Sequence, residues 1–532
     1  MPTVSKSRRF AATWMLITLC LALFWLFDGP LRANETQRIA VVKQFVDSTW
    51  IPNDWFLNAP AIYQLPFTLV ASPFVAFLDM GIATILIRLI LYAWFASGVV
   101  ALARRLGIGL VALIPAVALA AAHGTRNLAA MEWMVGYAEG KVVAYGAILW
   151  AFSFLIGRRY RAAAALLGLA MTFHVLVGLY AALTSLLFLL ADPRRRSSFI
   201  KSLPTIIPIF MITGGFGIFT VVNNLMTRGV SDPFTNLIYI ARNAHHVWPP
   251  AWSNHKHLDL PAWVDGFAWV VKAIMSVSFL VLVALKCRVR RFREFARLAL
   301  CSAAFFALGI FLYAVGPIGL LKYYPFRFPD ALLPFASFLL FFGVWERTVN
   351  SQNLYRPIPW IKTTLRIGLV IAVGLTFVAA TYKFSSDLQV KRRAGVPWAF
   401  VGLTAEEMKA TQWIRNNTPT DALFLSDPYF DTFYVTAERG LLVTWKNVGS
   451  NEIFVREWHD RLVAVNGGRS ILLDPPGIAR KQIQDSFNNL SLEDARNLAK
   501  QYDLDYYYGP FRDGWAIPPV YRSGNKAVYP LR

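Results

Sequence analysis

Long apolar runs are the feature of this sequence that most restricts its fold. A helix needs about 20 apolar residues to cross the roughly 30 Å hydrocarbon core of a bilayer, and several runs of the chain reach that length. Of the 532 residues, 56% are hydrophobic and only 16% are charged, which is fewer charges than a soluble chain carries. The sequence therefore predicts a polytopic helical membrane protein.

The distribution of the +22 net charge predicts which loops face the cytoplasm. Lys and Arg are concentrated between the apolar runs, in segments such as KSRR (6–9), RRYR (158–161), RRR (194–196) and KCRVRRFREFAR (286–297). Across all such segments, 22 basic residues are opposed by three acidic ones. Short basic loops stay on the cytoplasmic side of a membrane. The excess charge therefore reflects topology, and we exclude nucleic acid as a partner.

Eleven spans follow when the N-terminus is placed inside. We predict them near 11–27, 80–102, 108–122, 140–156, 203–222, 267–285, 298–315, 331–345 and 363–382, with two more in 162–191. Because arginine clusters flank both ends of 162–191, we interpret it as a hairpin of two short spans turning near Phe173, His174 and Gly178. No good signal-peptidase site follows the first span, so we expect a retained anchor. The odd number of spans places the C-terminus on the trans side, opposite the cytoplasm.

The predicted fold class is mainly α, a polytopic membrane helical bundle with a small C-terminal α/β soluble domain. We expect the bundle over 1–382, long external loops at 28–79 and 223–266, a linker over 383–403, and the external domain over 404–532. In that domain, the capping boxes TAEE (404–407) and SLED (491–494) indicate helix starts. The segments ALFLS (422–426) and LDYYYG (504–509) indicate strands.

Cations on the trans side are informative because topology does not account for them. They are Arg32, Arg38, Arg126, Lys141, Arg228, Arg242, Lys256, Lys322 and Arg327. The segment LKYYPFRFPD (321–330) places Lys322, Tyr323, Tyr324 and Arg327 at the outer membrane boundary. Lys and Arg form charge-assisted bonds to phosphate oxygens, so this segment is a candidate phosphate site. The alternative is an aromatic belt with snorkelling cations.

Acidic residues at the exit of the first span are candidates for acid–base chemistry. FWLFDGPLRANE (24–35) places Asp28 at that exit and Glu35 seven residues later. A carboxylate near a low-dielectric boundary can act as a general base towards a hydroxyl group. The alternative for Asp28 is that it caps the segment that follows. We interpret Asp47 and Asp54 as structural residues that form turns.

Arg88 lies inside the second predicted span, where a charge is expensive and usually faces the bundle interior with a partner. It is a candidate for binding an anion, or it pairs with Asp79 or with an acid on another span. Candidate partners, which can also pair with one another, lie in MEWMVGYAEGK (131–141): Glu132, Glu139 and Lys141. We interpret His174, at the hairpin turn, as structural.

The segment ARNAHHVWPPAWSNHKH (241–257) contains four of the seven histidines. His245, His246, His255 and His257 together suggest zinc, but adjacent histidines point apart and no acidic or cysteine ligand follows at a recognisable interval. We therefore favour no metal and no cofactor. Arg242, His245 and His246 are a candidate anion-binding loop, and an interfacial loop rich in Trp and Pro is the alternative.

These features together resemble the GT-C superfold of membrane glycosyltransferases. ARNAHHVWPP, LKYYPFRFPD and LLVTWKNVGSNEIFVREWHDR (441–461) resemble a group of large bacterial inner-membrane proteins. The resemblance implies that Asp28 is the catalytic carboxylate, that Glu35 is its alternate, and that Lys322 and Arg327 bind a lipid-linked phosphate. Many such enzymes have adjacent or near-adjacent acids in the first loop, whereas Asp28 and Glu35 stand apart, which puts metal dependence in doubt.

The implied function is transfer of a sugar from a polyprenyl-phosphate donor to an envelope acceptor on the trans side. The expected location is the bacterial inner membrane, with the C-terminal domain in the periplasm. The alternative is a non-catalytic envelope protein, or a transporter or flippase of lipid-linked saccharide. The lipid bilayer is a partner in each case, and the sequence identifies no protein partner.

Overall fold

The structure is a computed structural model that describes residues 6–28, 31, 34–59, 62–123, 128–226, 233–252, 262–350, 359–394, 403–448, 452–473 and 478–532. The helices of the membrane part are α1 (Lys6–Trp25), α2 (Asn34–Val46), α3 (Leu65–Phe77), α4 (Met80–Leu106), α5 (Leu110–His123), α6 (Gly140–Ile156), α7 (Tyr160–Phe173), α8 (Val175–Ala191), α9 (Pro193–Met226), α10 (Pro233–Arg242), α11 (Ala244–Val247), α12 (Pro249–Trp252), α13 (Ala262–Lys286), α14 (Arg290–Ala314), α15 (Arg327–Asn350) and α16 (Pro359–Ala394). Short 3-10 helices occupy Ile62–Gln64 and Ile318–Tyr323.

The predicted multi-pass helical bundle is confirmed. Within the described residues, seven helices are long and apolar enough to cross a membrane: Ser7–Trp25, Met80–Leu106, Pro193–Asn223, Phe267–Lys286, Arg290–Ala314, Arg327–Asn350 and Thr363–Ser386. The other four predicted spans coincide with shorter apolar helices, α5 to α8, which have 14 to 17 residues each.

The hairpin predicted over 162–191 is also confirmed. Helix α7 ends at Phe173, α8 begins at Val175, and His174 lies between them. The two helices pack closely because Gly178 has no side chain: a Cβ there would collide with the backbone of Met171. At the other end, Arg195 after α8 donates to the carbonyl oxygen of Leu155 before α7, at 2.7 Å. Both arginine clusters therefore lie at one end of the bundle.

Ion pairs hold this basic end together. The Arg195 guanidinium is buried and lies 2.8 Å from a carboxylate oxygen of Glu294. Glu346 accepts a hydrogen bond of 2.7 Å from the Gly109 amide, and Arg291 donates to the carbonyl oxygen of Arg105 at 3.1 Å. The acidic residues in the basic loops thus connect helices that are distant in sequence.

The C-terminal part has the predicted α/β character. Its elements are α17 (Ala405–Asn417), β1 (Leu423–Ser426), α18 (Phe433–Thr436), β2 (Gly440–Leu441), α19 (Glu452–Val465), a 3-10 helix (Ile471–Leu473), α20 (Ile478–Asn488), α21 (Leu492–Tyr502), β3 (Tyr506–Pro510), β4 (Tyr521–Ser523) and β5 (Lys526–Pro530). The strand order is β2-β1-β3-β5-β4, with β1 parallel to β2 and β3 and the other pairs antiparallel.

Both predicted capping boxes begin helices. Thr404 and Glu407 exchange bonds at the start of α17, and Ser491 and Asp494 do so at the start of α21. The strand predicted at 422–426 is β1, and the strand predicted at 504–509 overlaps β3. Local sequence was sufficient here because caps and β-rich runs act over a few residues.

The first external segment attaches the C-terminal part to the bundle through Asp54, which is fully buried. One carboxylate oxygen accepts from the amides of Phe56 and Leu57, both at 2.9 Å, as expected for a residue that forms a turn. The other oxygen accepts from the Tyr434 hydroxyl at 2.8 Å and from the Leu441 amide at 3.0 Å. One buried carboxylate therefore joins two regions almost 400 residues apart in sequence.

Replacing Arg195 by Met should destabilise the bundle, because it leaves Glu294 as a buried charge without its main partner. Breaking a buried pair in this way costs about 3–5 kcal/mol. The measurement is thermal unfolding in detergent, followed by intrinsic fluorescence. Arg194→Met removes an exposed arginine from the same cluster and is the matched control. Equal midpoints for the two variants would contradict the structural role given to Arg195.

Replacing Asp54 by Ala should loosen the C-terminal part, because four hydrogen bonds to one carboxylate are lost. Bonds to charged groups contribute about 1.5–3 kcal/mol each. We expect faster proteolytic release of the C-terminal fragment from purified protein. Asp47→Ala, which alters a more exposed turn in the same segment, should leave the release rate unchanged.

Candidate functional site

Several predicted site residues join other polar residues in two groups at the end of the bundle opposite the arginine clusters, the end predicted to face the trans side. The first, which we call the exit cluster, consists of Asp28, Glu35, Arg88 and Lys383 at the end of α1. The second, which we call the trans cluster, consists of Arg38, Glu132, Glu139, Lys141, His174, His246, Tyr324 and Arg327. Helix α2 connects the groups, since it carries Glu35 and, one turn later, Arg38.

In the exit cluster, Arg88 and Glu35 form a fully buried bidentate ion pair. The Arg88 Nε and Nη2 atoms each lie 2.6 Å from a different Glu35 oxygen. The amides of Leu31 and Ala138 also donate to this carboxylate. Both groups thus have their hydrogen-bonding capacity occupied within the protein. The pair corresponds to the alternative in which Arg88 is neutralised by an acid, and Glu35 is that acid. The catalytic role of Glu35 and the anion-binding role of Arg88 remain predictions.

Arg88 also closes the end of the first span. Its Nη1 donates to the carbonyl oxygens of Trp25, Leu26 and Asp28, at 2.8 to 3.2 Å. Carbonyls at a helix C-terminus carry partial negative charge and have no partner within the helix. Asp79, the other candidate partner of Arg88, instead caps α4 by accepting from the Gly81 and Ile82 amides.

Asp28 lies apart from the trans cluster, towards α16. Its carboxylate is 3.5 Å from the Lys383 ammonium, and the side chain is 18% exposed. The neighbouring Phe27 packs edge-on against Phe384 of the same helix. Asp28 therefore contacts the last span of the bundle, whereas Arg327 lies in the trans cluster.

Glu132 is at the centre of the trans cluster and is fully buried. Arg327 donates to one of its oxygens at 2.6 Å, and the Lys141 ammonium lies 3.1 Å from the other. The Lys141 distance is that of an ion pair, but the bond angles do not give a directed hydrogen bond. Two cations therefore share this one carboxylate.

The Glu132 segment is held in place by Asp330 on α15. Asp330 accepts hydrogen bonds from the amides of Ala129, Ala130 and Glu132. Arg327 is one turn earlier on the same helix, so α15 provides both the clamp and the cation. No partner of the two Arg327 Nη atoms is found among the described residues, and the side chain is 17% exposed.

Glu139 is the acid of this cluster with an unused oxygen. The residue is buried, immediately precedes α6, and its Oε1 atom has no hydrogen-bond partner among the described residues. Arg38 lies close enough to interact with the charges of Glu139 and Arg327, and it donates to the Tyr63 hydroxyl at 2.9 Å. His174, at the hairpin turn, is close to Arg38, Lys141 and Arg327. The sequence predicted Arg38 only as a trans-side cation, whereas it also predicted that Lys141 could pair with Glu132 or Glu139, and the pair with Glu132 is present.

His246 is neutral and its tautomer is fixed. The ring Nδ1 lies 2.6 Å from the Ala130 carbonyl oxygen, so it carries the hydrogen and Nε2 is an acceptor. Burial, with the nearby His245, Arg327 and Lys141, lowers the pKa of His246 well below its usual value. A neutral imidazole cannot provide the positive charge that the sequence analysis assigned to this loop. The His245 ring lies against it, with centroids 3.9 Å apart.

Arg242 binds the C-terminal part instead of presenting a free cation. It donates to the carbonyl oxygens of Trp445 and Lys446, at 3.0 and 2.9 Å, and to the Asn243 side chain. Backbone carbonyls occur at every residue, so a sequence pattern cannot identify them as the partners of Arg242. For this reason the sequence predicted an anion as the partner of Arg242. His255 and His257 lie outside the described residues, as do Arg32, Arg126, Arg228 and Lys256.

The residues of the segment 321–330 contact different parts of the protein. Lys322 donates to the side chain of Asn236 at 2.5 Å, and the Tyr323 carbonyl accepts from the Tyr180 hydroxyl. Tyr324 adopts a left-handed conformation, with φ of 54°, and this turn buries its ring. The Arg327 guanidinium lies 4.7 Å from the centre of the Tyr324 ring, and the His246 ring is 5.8 Å away. Tyr324 and Arg327 thus join the trans cluster, whereas Lys322 faces α10.

A small apolar groove of about 20 Å³ lies within the bundle beside the trans cluster. It is lined by residues of α1, α4, α5, α15 and the segment 133–135, among them Leu21, Phe95, Val117, Ala121, Trp133 and Phe335. None of the predicted site residues lines it. Trp133 connects the two features, because the Lys141 ammonium lies 3.5 Å from the centre of its ring. Among the described residues, no three His, Cys, Asp or Glu side chains converge as metal ligands.

Comparisons with known proteins give one local match and several matches over the whole chain. The family model "Domain of unknown function (DUF6798)" matches residues 405–465. A search of curated proteins finds no match. Among solved structures, the archaeal oligosaccharyltransferase AglB from Archaeoglobus fulgidus, in complex with an inhibitory peptide and a dolichol-phosphate, is similar with 11% identity and a TM-score of 0.48. The similarity covers 95% of this chain and 70% of AglB.

Two further structures are similar over most of the chain. ArnT from Cupriavidus metallidurans, in the apo state, has 14% identity and a TM-score of 0.49, with 98% of each chain covered. The Archaeoglobus fulgidus oligosaccharyltransferase in complex with Zn and sulfate has 11% identity and a TM-score of 0.39, covering 94% of this chain and 68% of that one.

Proposed function

We propose that this protein transfers a sugar from a polyprenyl-phosphate donor to an acceptor on the trans side of the membrane. The observation that carries the proposal is the position of Lys141 and Arg327, two cations sharing one carboxylate at the end of an apolar groove. A polyprenyl phosphate has the complementary form, with a long apolar tail and an anionic end.

The phosphate would meet the cations, and the tail would lie along the apolar helices whose side chains line the groove. Lys141 lacks a directed hydrogen bond, and the Nη atoms of Arg327 have no partner among the described residues, so both can donate to phosphate oxygens. Charged donors already in place stabilise the charge that develops on a leaving phosphate. Arg38 adds a third cation to the same cluster.

We propose Glu139 as the general base, because its Oε1 atom is buried and has no partner within the described chain. The acceptor oxygen would attack C1 of the donor sugar, the bond from C1 to the phosphate oxygen would break, and Glu139 would take the acceptor proton. Polyprenyl phosphate would leave with the electron pair. Asp28, the sequence-based candidate for this role, interacts with Lys383 on the far side of the Glu35–Arg88 pair.

Phosphate binding should depend on the trans cluster. We expect Lys141→Met and Arg327→Lys to weaken binding of undecaprenyl phosphate about tenfold or more, since each loses a charge or a fork of donors to the phosphate. Native mass spectrometry of the purified protein measures the bound lipid. Lys322→Met tests the other predicted cation, which faces Asn236, and should have a smaller effect. Equal losses in all three variants would contradict the proposed phosphate position.

Glu139→Gln should abolish transfer while leaving the protein folded, since the amide is similar in shape but cannot take a proton. General-base removal costs about 100-fold or more in rate. The measurement is mass spectrometry of envelope glycans in a deletion strain complemented with each variant. Asp28→Asn tests the sequence-based candidate, and Glu457→Gln, an exposed change, is the control.

The outcomes separate the two candidate functions. Loss of a glycan with Glu139→Gln alone supports catalysis with Glu139 as base, whereas loss with Asp28→Asn alone moves the base to the exit cluster. Unchanged glycans in both variants, together with intact lipid binding, would overturn the enzymatic proposal. That result would favour the alternative, a carrier or flippase of lipid-linked saccharide.

A further inference from the structure

The C-terminal part turns one particular edge of its sheet towards the membrane bundle. Strands β1 and β2 are parallel, and the segments that follow their carboxyl ends are 427–431 and 442–446. The crevice outside the carboxyl ends of parallel strands is where open α/β sheets usually bind ligands. Here that crevice faces Arg242, whose guanidinium bonds to Trp445 and Lys446. A binding position of the sheet and the trans side of the bundle are therefore adjacent.

Three polar side-chain atoms at this edge are buried and have no hydrogen-bond partner within the described part of the chain. They are the Ser426 hydroxyl, the Tyr429 hydroxyl and the Oδ1 atom of Asp431, none of which has a hydrogen-bond partner in the described residues. A buried polar group without a partner costs about 1–3 kcal/mol, so such groups rarely occur together without a ligand or water. Burial raises the pKa of Asp431 to about 7, despite the nearby charges of Lys446, Arg242 and Arg480.

An aromatic surface lies beside these groups. The Tyr429 ring stacks against Trp445, with centroids 5.4 Å apart and an angle of 28° between the rings. The Arg480 guanidinium lies 4.6 Å from the centre of the Tyr429 ring. Trp445 is fixed in turn, because its amide donates to the Pro428 carbonyl at 2.7 Å. The edge thus combines flat apolar faces with hydrogen-bonding groups.

Lys446 links this edge to the proposed general base. Its charge interacts with those of Asp431 and Glu139. Its ammonium also donates to the Asn34 side chain at the start of α2. Glu139 thus interacts with the charge of Lys446 as well as with that of Lys141.

The side chains at this edge indicate what it can bind. The carboxylates of Asp427 and Asp431 lie near the cations Arg242, Lys446 and Arg480, so the edge offers hydrogen-bond acceptors and donors together. A ligand with several hydroxyl groups and a flat apolar face, which is the chemistry of a saccharide, can use both. Aromatic rings pack on the apolar face of a sugar, and carboxylates accept hydrogen bonds from its hydroxyl groups.

We propose that the C-terminal part binds the acceptor of the transfer as a saccharide, with Asp431 and Tyr429 holding its hydroxyl groups. The inference rests on the proposed function and extends it by naming the class of acceptor. Lys446, whose charge interacts with those of both Asp431 and Glu139, connects this edge with the proposed base. A hydroxyl group of a saccharide bound at this edge would then lie near Glu139.

The test is saturation-transfer NMR on the full-length protein in nanodiscs, with glucose, galactose, mannose and N-acetylglucosamine as separate probes. We expect a signal for at least one sugar, reduced at least fivefold by Asp431→Leu and by Tyr429→Phe. Asp431→Asn retains a side chain that can bond to a hydroxyl and should reduce the signal less than Asp431→Leu. Asp421→Leu, at an exposed acid of the same domain, is the matched control.

Undecaprenyl phosphate binding by the same variants separates this inference from the proposed function. If these variants lose sugar binding but retain lipid binding, the result supports a saccharide site at Asp431. Sugar signals that are absent from the native protein, or unchanged by all Asp431 and Tyr429 variants, overturn it, as does loss of lipid binding in Asp431→Asn. If the saccharide site is found but Glu139→Gln leaves glycans intact, the proposed transfer fails and the binding site remains.

Discussion

The buried ion pair of Arg88 and Glu35 is the interaction on which the trans side of this protein depends. An unpaired arginine inside a span is costly, and here its charge is shared between a carboxylate and the carbonyl end of α1. The same carboxylate accepts from the Ala138 amide. One pair therefore fixes the exit of the first span, the start of α2 and the segment before α6. Because α2 and that segment carry Arg38, Glu139 and Lys141, the pair also sets the geometry of the trans cluster.

Much of the fold was predictable because its determinants are local or repeated. Apolar length identified the spans, and arginine clusters at both ends of 162–191 predicted the hairpin before His174 was seen between two helices. Capping boxes at Thr404 and Ser491 specified helix starts through bonds spanning three residues. Helix α7 has only 14 residues, so flanking arginine clusters identified a helix that apolar length alone would have missed.

The site was less predictable, for a physical reason. Sequence identified which residues are charged on the trans side, but partners depend on contacts between distant segments. Arg88 pairs with an acid 53 positions away, and Arg242 binds backbone carbonyls more than 200 positions away. The position of Asp431 in a tripartite crevice between the sheet, α2 and α10 also has no local pattern. The sequence did indicate the set of candidate cations, which included Arg38, Lys141 and Arg327.

The shortness of the hairpin has a consequence for the membrane itself. At 1.5 Å per residue, the 14 residues of α7 span about 21 Å, against a hydrocarbon core of about 30 Å. With its arginine end at the cytoplasmic surface, the turn at His174 lies about 9 Å below the opposite surface. A helix shorter than the hydrocarbon core is accommodated by a thinner bilayer around it or by partners that cover its end. The short hairpin therefore sets the depth of the polar residues around His174 relative to the membrane surface.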